Sequence, residues 1–305
     1  MKRNITFKSN NLNVAGHLYL PEDYKDGEHR AAIIVCHPFG GVKEQTAGLY
    51  ARKLSEKGFI TLAFDASYQG ESEGEPRHLE DPFARSEDIK SAVSFLSTLD
   101  EVDPNRIGAL GICAAGGYVP YTAQTERRIK AVATVSGADM GALFREGLGG
   151  HGSVEDLHLM LEAAGKDRTE VAKGQPPRLE HIVPNSPEEI TADTPTLYRE
   201  GSDYYRTPRA QHPNSQNYYV FSAVDKITAY SSFDRVHLIS PHPLLMIAGT
   251  KADTLYFSEL AIQQAKEPKE LFLIEGASHI DLYDKAEYVD PAVNKLDSFF
   301  KEWLV

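Results

Sequence analysis

The pattern of hydrophobic and polar positions changes along the chain. Residues 1–20 hold two short stretches of alternating apolar and polar residues around the turn-like KSNNLN, which is typical of an antiparallel hairpin. Continuous apolar runs then alternate with helical stretches: AAIIVC (31–36), FITLAFD (59–65), RIGALGI (106–112) and KAVATVSG (130–137). Because apolar runs without alternation indicate strands buried on both faces, we predict an α/β protein with a mostly parallel sheet between two helical layers.

This alternation of strand and helix stops between residues 142 and 240. The segment holds the helical stretch VEDLHLMLEAAGKDRTEVAK, proline-rich turns and an aromatic polar region. Strands return at PLLMIAG (243–249) and LFLIEG (271–276), and the helix VNKLDSFFKEWL closes the chain. We therefore expect one core, made of residues 1–141 and 241–305, interrupted by a mainly helical cap over residues 142–240.

Composition and charge exclude several classes of protein. A net charge of −12 without any run of Lys or Arg argues against nucleic acid as a partner. No apolar stretch reaches the length of a signal peptide or a membrane span, so we expect a cytoplasmic protein without a membrane partner. The two cysteines, Cys36 and Cys113, rule out a disulfide-rich scaffold, although one bridge between them is compatible with the count. A homodimer is also compatible with the sequence.

Cys113 lies where a nucleophile is expected, in Gly111-Ile112-Cys113-Ala114-Ala115 between a strand and a helix. In a nucleophile elbow the reactive residue sits on a strained turn, and small residues two positions away let the strand approach the helix. The N–H groups of the following helix favour a thiolate. A packing cysteine or a nucleotide-binding turn is the alternative, but the phosphate-loop spacings and Gly-x-Ser-x-Gly are all absent. The sequence therefore predicts a cysteine nucleophile.

His279 is the predicted general base, because it alone among the histidines follows the final strand and precedes the last helix. A carboxylate must orient its imidazole, and two candidates follow strands between Cys113 and His279. Asp253 follows the penultimate strand and Asp139 the strand before it. We favour Asp253 as the third member of the catalytic triad.

The oxyanion hole is predicted to consist of the N–H of Ala114 and one N–H from the loop after the first parallel strand. Pro38 has no N–H, so Phe39 is favoured there and Gly40 is the alternative. Other candidates for contact with the substrate lie at the same sheet edge or in the aromatic and basic part of the cap: His37, Gly40, Tyr68, Tyr204, Arg209 and His212. Each of these could instead be a packing or solvated residue.

The order of five motifs carries a family resemblance: HPFGG, DASYQGES, GICAAGGY, GTKAD and GASHID. With them the chain resembles the dienelactone-hydrolase-like branch of the α/β-hydrolase superfamily. The resemblance implies the α/β-hydrolase fold with eight mostly parallel strands, a triad of Cys113, Asp253 and His279, and no metal or organic cofactor. The implied reaction is hydrolysis of a small-molecule ester, lactone or thioester through an acyl-cysteine. Acyl transfer at the same site, as in fungal polyketide transferases, and a catalytically silent binding module are the alternatives.

One position departs from the family pattern. In dienelactone hydrolases a glutamate after the first parallel strand helps to control the thiol, and His37 stands at the matching position here. Those enzymes are also smaller and lack a cap of this length. The resemblance therefore points to the chemistry rather than to dienelactone as the substrate.

Overall fold

All eight predicted strands form one sheet in a computed structural model of the chain, which describes residues 1–305. The strands of this sheet are β1 (Lys2–Ser9), β2 (Leu12–Tyr19), β3 (Arg30–Cys36), β4 (Ile60–Phe64), β5 (Val102–Ile112), β6 (Ile129–Val135), β9 (Leu244–Gly249) and β10 (Lys269–Ile274). Their order is β1-β2-β4-β3-β5-β6-β9-β10. Strand β2 is antiparallel to both its neighbours, and all other pairs are parallel. The predicted α/β-hydrolase fold with a mostly parallel eight-stranded sheet is confirmed.

Ten α-helices connect or extend the strands. They are α1 (Thr46–Ser55), α2 (Pro82–Leu96), α3 (Ala115–Ala123), α4 (Met140–Glu146), α5 (Val154–Ala172), α6 (Thr196–Arg206), α7 (Val224–Thr228), α8 (Leu255–Gln264), α9 (Asp281–Asp284) and α10 (Ala286–Leu304). Helix α1 ends at Ser55, and Gly58, with φ of +104°, forms the left-handed turn into β4. None of the helices combines the length and apolar character needed to cross a membrane.

The sheet is buried on both faces because alternate side chains of its central strands point in opposite directions. Ile34 of β3 packs in the core beneath α2, α3 and α8, whereas Ile33 and Val35 pack in the core beneath α1 and α10. Each of these side chains is fully buried, and each such burial stabilises the fold by about 1.5–3 kcal/mol. The central strands are therefore a rigid base for the loops at their carboxyl ends.

The segment between β6 and β9 contains helices α4 to α7 and a two-stranded sheet of β7 (Leu179–His181) and β8 (Tyr218–Val220). Helix α6 of this segment packs against the short helix α9. The rings of Tyr204 and Tyr283 pack edge to face at 5.1 Å, and Arg209 Nε donates a 2.8 Å hydrogen bond to Asp284. These contacts place α6 beside the loop that carries His279.

Candidate active site

Cys113 occupies a strained turn between β5 and α3, with φ of +57°. A left-handed conformation costs a non-glycine residue about 1–3 kcal/mol, and the neighbouring strand helps to hold it. The Cys113 N–H donates to the Val135 carbonyl at 3.0 Å, and the Cys113 carbonyl accepts the Ala138 N–H at 3.0 Å. A Cβ on Gly111 would lie 2.0 Å from the Ala115 carbonyl oxygen, so only glycine fits there. Cys113 thus has the geometry expected of an elbow.

Three polar groups interact with the Cys113 thiol: the N–H of Ala114, the N–H of Phe39 and the hydroxyl of Tyr283. The two backbone donors are those proposed from the sequence for an oxyanion hole, so they converge beside the sulfur. Each of the three favours a thiolate, but burial has the larger effect and raises the pKa of Cys113 above its ordinary value of 9.0. The expected low-pKa thiol is therefore not present, and the resting side chain is a neutral thiol.

We expect alkylation of Cys113 by iodoacetamide to be slow at pH 7 and to accelerate about tenfold per pH unit up to and beyond pH 9. The reason is that the raised pKa leaves little thiolate at neutral pH, and thiolate is the reactive form. The measurement is intact-mass kinetics between pH 6 and 10 on a Cys36→Ala background. Cys36 itself is buried with a pKa raised to about 12, so it should react only on unfolding. A rate plateau starting below pH 7 would contradict this prediction.

His279 is buried and is held by two hydroxyl groups. Its Nδ1 lies 2.6 Å from Thr254 Oγ1, and its Nε2 lies 3.2 Å from Tyr283 Oη. Ser136 Oγ donates to the His279 main-chain carbonyl at 2.9 Å and fixes the loop. Burial, with no charged partner to offset it, lowers the pKa of His279 to about 3. The imidazole is therefore neutral, and no hydrogen bond joins it directly to Cys113.

The predicted contact between Asp253 and His279 is not present in this structure. Asp253 Oδ2 instead accepts the Leu197 N–H at 3.0 Å, at the beginning of α6. Unsatisfied N–H groups at a helix N-terminus attract a carboxylate. The helix here is α6 of the cap, which is far from Asp253 in sequence. The neighbouring residue, Thr254, is the one that reaches Nδ1.

Asp139, the alternative acid, does not contact His279 either. Its Oδ1 accepts the Ala142 N–H at 3.1 Å and caps α4, and its Oδ2 accepts the Ser232 N–H at 3.0 Å. Both oxygens are thus committed to backbone donors of the inserted segment. Asp139 fixes the start of that segment, as an entrance or hinge residue would.

Two hydroxyl groups at His279 were missed by sequence reasoning. Tyr283 lies four residues after His279, and Thr254 follows Asp253 directly. The spacing of four residues, about one helical turn, was a usable signal for Tyr283. No sequence signal could have favoured Thr254 over its acidic neighbour.

A cavity of about 380 Å³ opens onto Cys113 and His279. Of its 19 lining residues 15 are hydrophobic, and none is Asp, Glu, Lys or Arg. The inserted segment supplies much of the wall: Leu143, Phe144, Met160, His181, Ile182, Val183, Leu197, Tyr198, Gly201, Tyr205 and Tyr219. A ligand in this cavity is therefore surrounded by apolar and aromatic surface.

His37, a candidate for substrate contact, does not line this cavity. It is fully buried beneath the oxyanion loop, where its Nδ1–H donates to the Pro38 carbonyl at 2.7 Å and its Nε2 accepts the Ala66 N–H at 3.0 Å. Burial and the nearby Arg85 guanidinium lower the pKa of His37. The neutral His37 side chain thus joins two loops through its hydrogen bonds.

Gly40 and Tyr68 also lie outside the cavity wall. Gly40, with φ of +66°, packs so closely under Ile182 that a Cβ would lie 2.1 Å from its Cδ1. Tyr68 adopts φ of +72°, and its ring covers Gly74. Both residues hold left-handed backbone conformations in loops near the sheet edge.

The three cap candidates are placed away from the cavity as well. Tyr204 is buried and packs against Tyr205 and Tyr283. Arg209 is engaged by acidic side chains, and His212 lines a separate polar groove on the inserted segment. The aromatic part of the predicted patch does reach the cavity, through Tyr205 and Tyr219.

Comparisons with known proteins give one family model and several relatives that span most of the chain. The profile described as the dienelactone hydrolase family matches residues 14–142. The uncharacterized protein YcjY of Escherichia coli strain K12 is 38% identical over 309 residues, covering all of both chains. The crystal structure of the hypothetical protein PA2218 from Pseudomonas aeruginosa superimposes with a TM-score of 0.93 at 37% identity, covering 100% of this chain and 94% of that one. A more distant relative, the thiohydrolase aneE of Aspergillus aculeatus, is 26% identical over 88% of this chain and 83% of its own length.

Proposed function

The chain belongs to the dienelactone hydrolase family, and on that premise we propose that it hydrolyses uncharged esters, lactones or thioesters through an acyl-cysteine at Cys113. The observation that carries the proposal is the elbow, where the Cys113 sulfur meets the N–H groups of Ala114 and Phe39. An oxyanion formed on a carbonyl carbon bound to this sulfur would lie beside both donors. The name of the thiohydrolase relative is consistent with thioesters as one substrate class.

Cys113 and His279 supply the chemistry in this proposal. The sulfur attacks the carbonyl carbon while the neutral imidazole accepts the thiol proton, since a thiolate is not available in advance. Collapse of the tetrahedral intermediate expels the leaving group with that proton. Water then hydrolyses the acyl-cysteine and restores the thiol.

The cavity determines the kind of acyl group. A buried carboxylate or ammonium needs a partner of opposite charge, and no charged side chain lines this wall. An apolar chain, in contrast, gains roughly 25 cal/mol for each Å² removed from water. The acyl group is therefore uncharged and predominantly apolar.

The proposal is tested with a panel of one thioester, one aryl ester and one lactone that share an unbranched apolar acyl chain. Each has a matched partner whose chain ends in a carboxylate. We expect the apolar substrates to acylate Cys113 at least about 100-fold faster, because a partnerless buried charge costs several kcal/mol. Intact-mass spectrometry of rapidly quenched samples gives the rates, and peptide mapping gives the site.

Two outcomes would contradict the proposal. No mass increase on Cys113 with any apolar substrate would argue against the acyl-cysteine. Equal acylation rates for the charged and the apolar substrates would contradict the proposed apolar acyl group but not the acyl-cysteine mechanism. A Cys36→Ala variant, which retains the elbow, serves as the labelling control.

Acyl transfer to an alcohol or amine is the second candidate, and the apolar wall favours it. A retained water needs two to four polar partners, and most of this cavity offers none. Products formed with and without added alcohols and amines distinguish the two reactions. An ester or amide product in place of the free acid would identify a transferase.

A further inference from the structure

We propose that Tyr283 is a catalytic residue that carries the proton between the Cys113 thiol and the His279 imidazole. The inference rests on the proposed acyl-cysteine chemistry and adds a third reacting side chain to it. Neither Asp253 nor Asp139 contacts the imidazole, so the side-chain partners of its two nitrogens are the hydroxyl groups of Thr254 and Tyr283.

The Tyr283 hydroxyl is the group that connects the two reacting residues. Its oxygen lies 3.2 Å from His279 Nε2, and the same hydroxyl interacts with the Cys113 thiol in the wall of the shared cavity. The cysteine and the histidine have no direct hydrogen bond. A proton leaving the sulfur therefore reaches the imidazole by way of this hydroxyl.

The hydrogen-bond directions are consistent with such a relay. When Nδ1–H donates to Thr254 Oγ1, Nε2 has a free lone pair and accepts the Tyr283 O–H. The Tyr283 oxygen then accepts the thiol S–H. After transfer Nε2–H donates back to the Tyr283 oxygen, and Thr254 still accepts from Nδ1–H. Both imidazole nitrogens thus have an acceptor in the protonated state.

As the Cys113 sulfur forms a bond to the carbonyl carbon, the thiol proton passes to the Tyr283 oxygen and the tyrosine proton passes to Nε2. The carbonyl π pair becomes the oxyanion. When the carbonyl re-forms, the bond to the leaving oxygen or sulfur breaks, and the Nε2 proton returns through Tyr283 to that atom. Ester and water give acid and alcohol, with tyrosine unchanged.

Tyr283 is suited to pass a proton without holding a charge. The side chain is buried, and burial raises the pKa of its hydroxyl, so tyrosinate does not accumulate. Its ring packs against the rings of Tyr204 and Tyr205 of α6, with centroid distances of 5.1 Å and 6.4 Å. The oxygen is thereby fixed within reach of both partners.

The test compares Tyr283→Phe with Tyr204→Phe. Each variant keeps its ring and loses one hydroxyl, but the Tyr204 hydroxyl faces the Thr46 backbone and does not line the cavity. Single-turnover acylation of Cys113 by an apolar thioester is followed by intact mass, and thermal melts verify folding. We expect about a 100-fold slower acylation for Tyr283→Phe, within the range of general acid–base catalysis, and wild-type rates for Tyr204→Phe.

A proton inventory on the wild-type protein is a second measurement that needs no substitution. Two protons move in a relayed step, so the acylation rate should curve with the fraction of D₂O. Wild-type acylation in Tyr283→Phe, or a linear inventory in the wild-type protein, would overturn the relay and leave the acyl-cysteine intact. Absence of any adduct on wild-type Cys113 would instead overturn the proposed function, and the relay with it.

Discussion

Replacing Cys113 with alanine should lower kcat/KM for an apolar thioester or ester by at least about 10⁴-fold, with the fold intact. Every covalent step of the proposed reaction takes place on this sulfur, and removing a nucleophile from a comparable hydrolase site costs several orders of magnitude. The positive φ of Cys113 is imposed by the hydrogen bonds of its main chain, so alanine should adopt it. Steady-state kinetics and a thermal melt measure the two effects separately.

Cys36→Ala is the matched control for this substitution. Cys36 is the other cysteine, lies at the end of β3 and is buried away from the cavity. Its replacement should cost some stability through lost packing but leave kcat/KM near the wild-type value. Residual activity of Cys113→Ala above about one hundredth of wild type would mean that water attacks the substrate directly.

Replacing His279 with glutamine should lower kcat by about 10³-fold and remove the accumulation of acyl-enzyme in single turnover. Because burial keeps Cys113 in its thiol form, attack depends on a base more strongly than it would for a preformed thiolate. Burial also lowers the pKa of His279 to about 3, so the imidazole stays neutral through mildly acidic pH. The kcat/KM profile of the wild-type protein should accordingly show no loss from His279 titration between pH 7 and 5.

Substitutions of Thr254, which contacts His279 Nδ1, and of its neighbour Asp253 serve as controls for the His279 prediction. Thr254→Val removes the hydroxyl at Nδ1, whereas Asp253→Asn keeps an oxygen that can still accept the Leu197 N–H. From these contacts we expect Thr254→Val to lower kcat more than Asp253→Asn, which should have only a small effect on kcat. The opposite order would show that the Asp253 carboxylate leaves α6 and orients His279 during turnover. Full activity of His279→Gln would contradict its role as the base.

Much of the sheet was predictable because its signals are local. Continuous apolar runs predicted β3 to β6, β9 and β10, and alternation predicted the β1–β2 hairpin. The three-residue strands β7 and β8 were not predicted, since neither carries a run long enough to stand out in a polar segment. The last helix begins at Ala286, earlier than its apolar pattern suggested, with Pro291 inside it.

The sequence by itself determined which residues stand at the carboxyl ends of the strands. Cys113 lies on the turn, with Phe39 and Ala114 beside its sulfur and His279 on the cavity, because strand order and small residues at fixed spacing carry that information. Local sequence is sufficient here, since an elbow is built from residues two or three positions apart.

Tertiary structure alone decided what His279 touches. Asp253 and Thr254 are neighbours in sequence, and packing of α6 diverts the acid to the Leu197 N–H and leaves the hydroxyl at Nδ1. Packing of α9 against α6 likewise places the Tyr283 hydroxyl between the thiol and the imidazole. Hydrogen-bond partners are chosen among donors and acceptors that come within about 3 Å only after folding. The position of His279 was therefore evident from its neighbours in sequence, but its hydrogen-bond partners depend on segments that are distant in sequence.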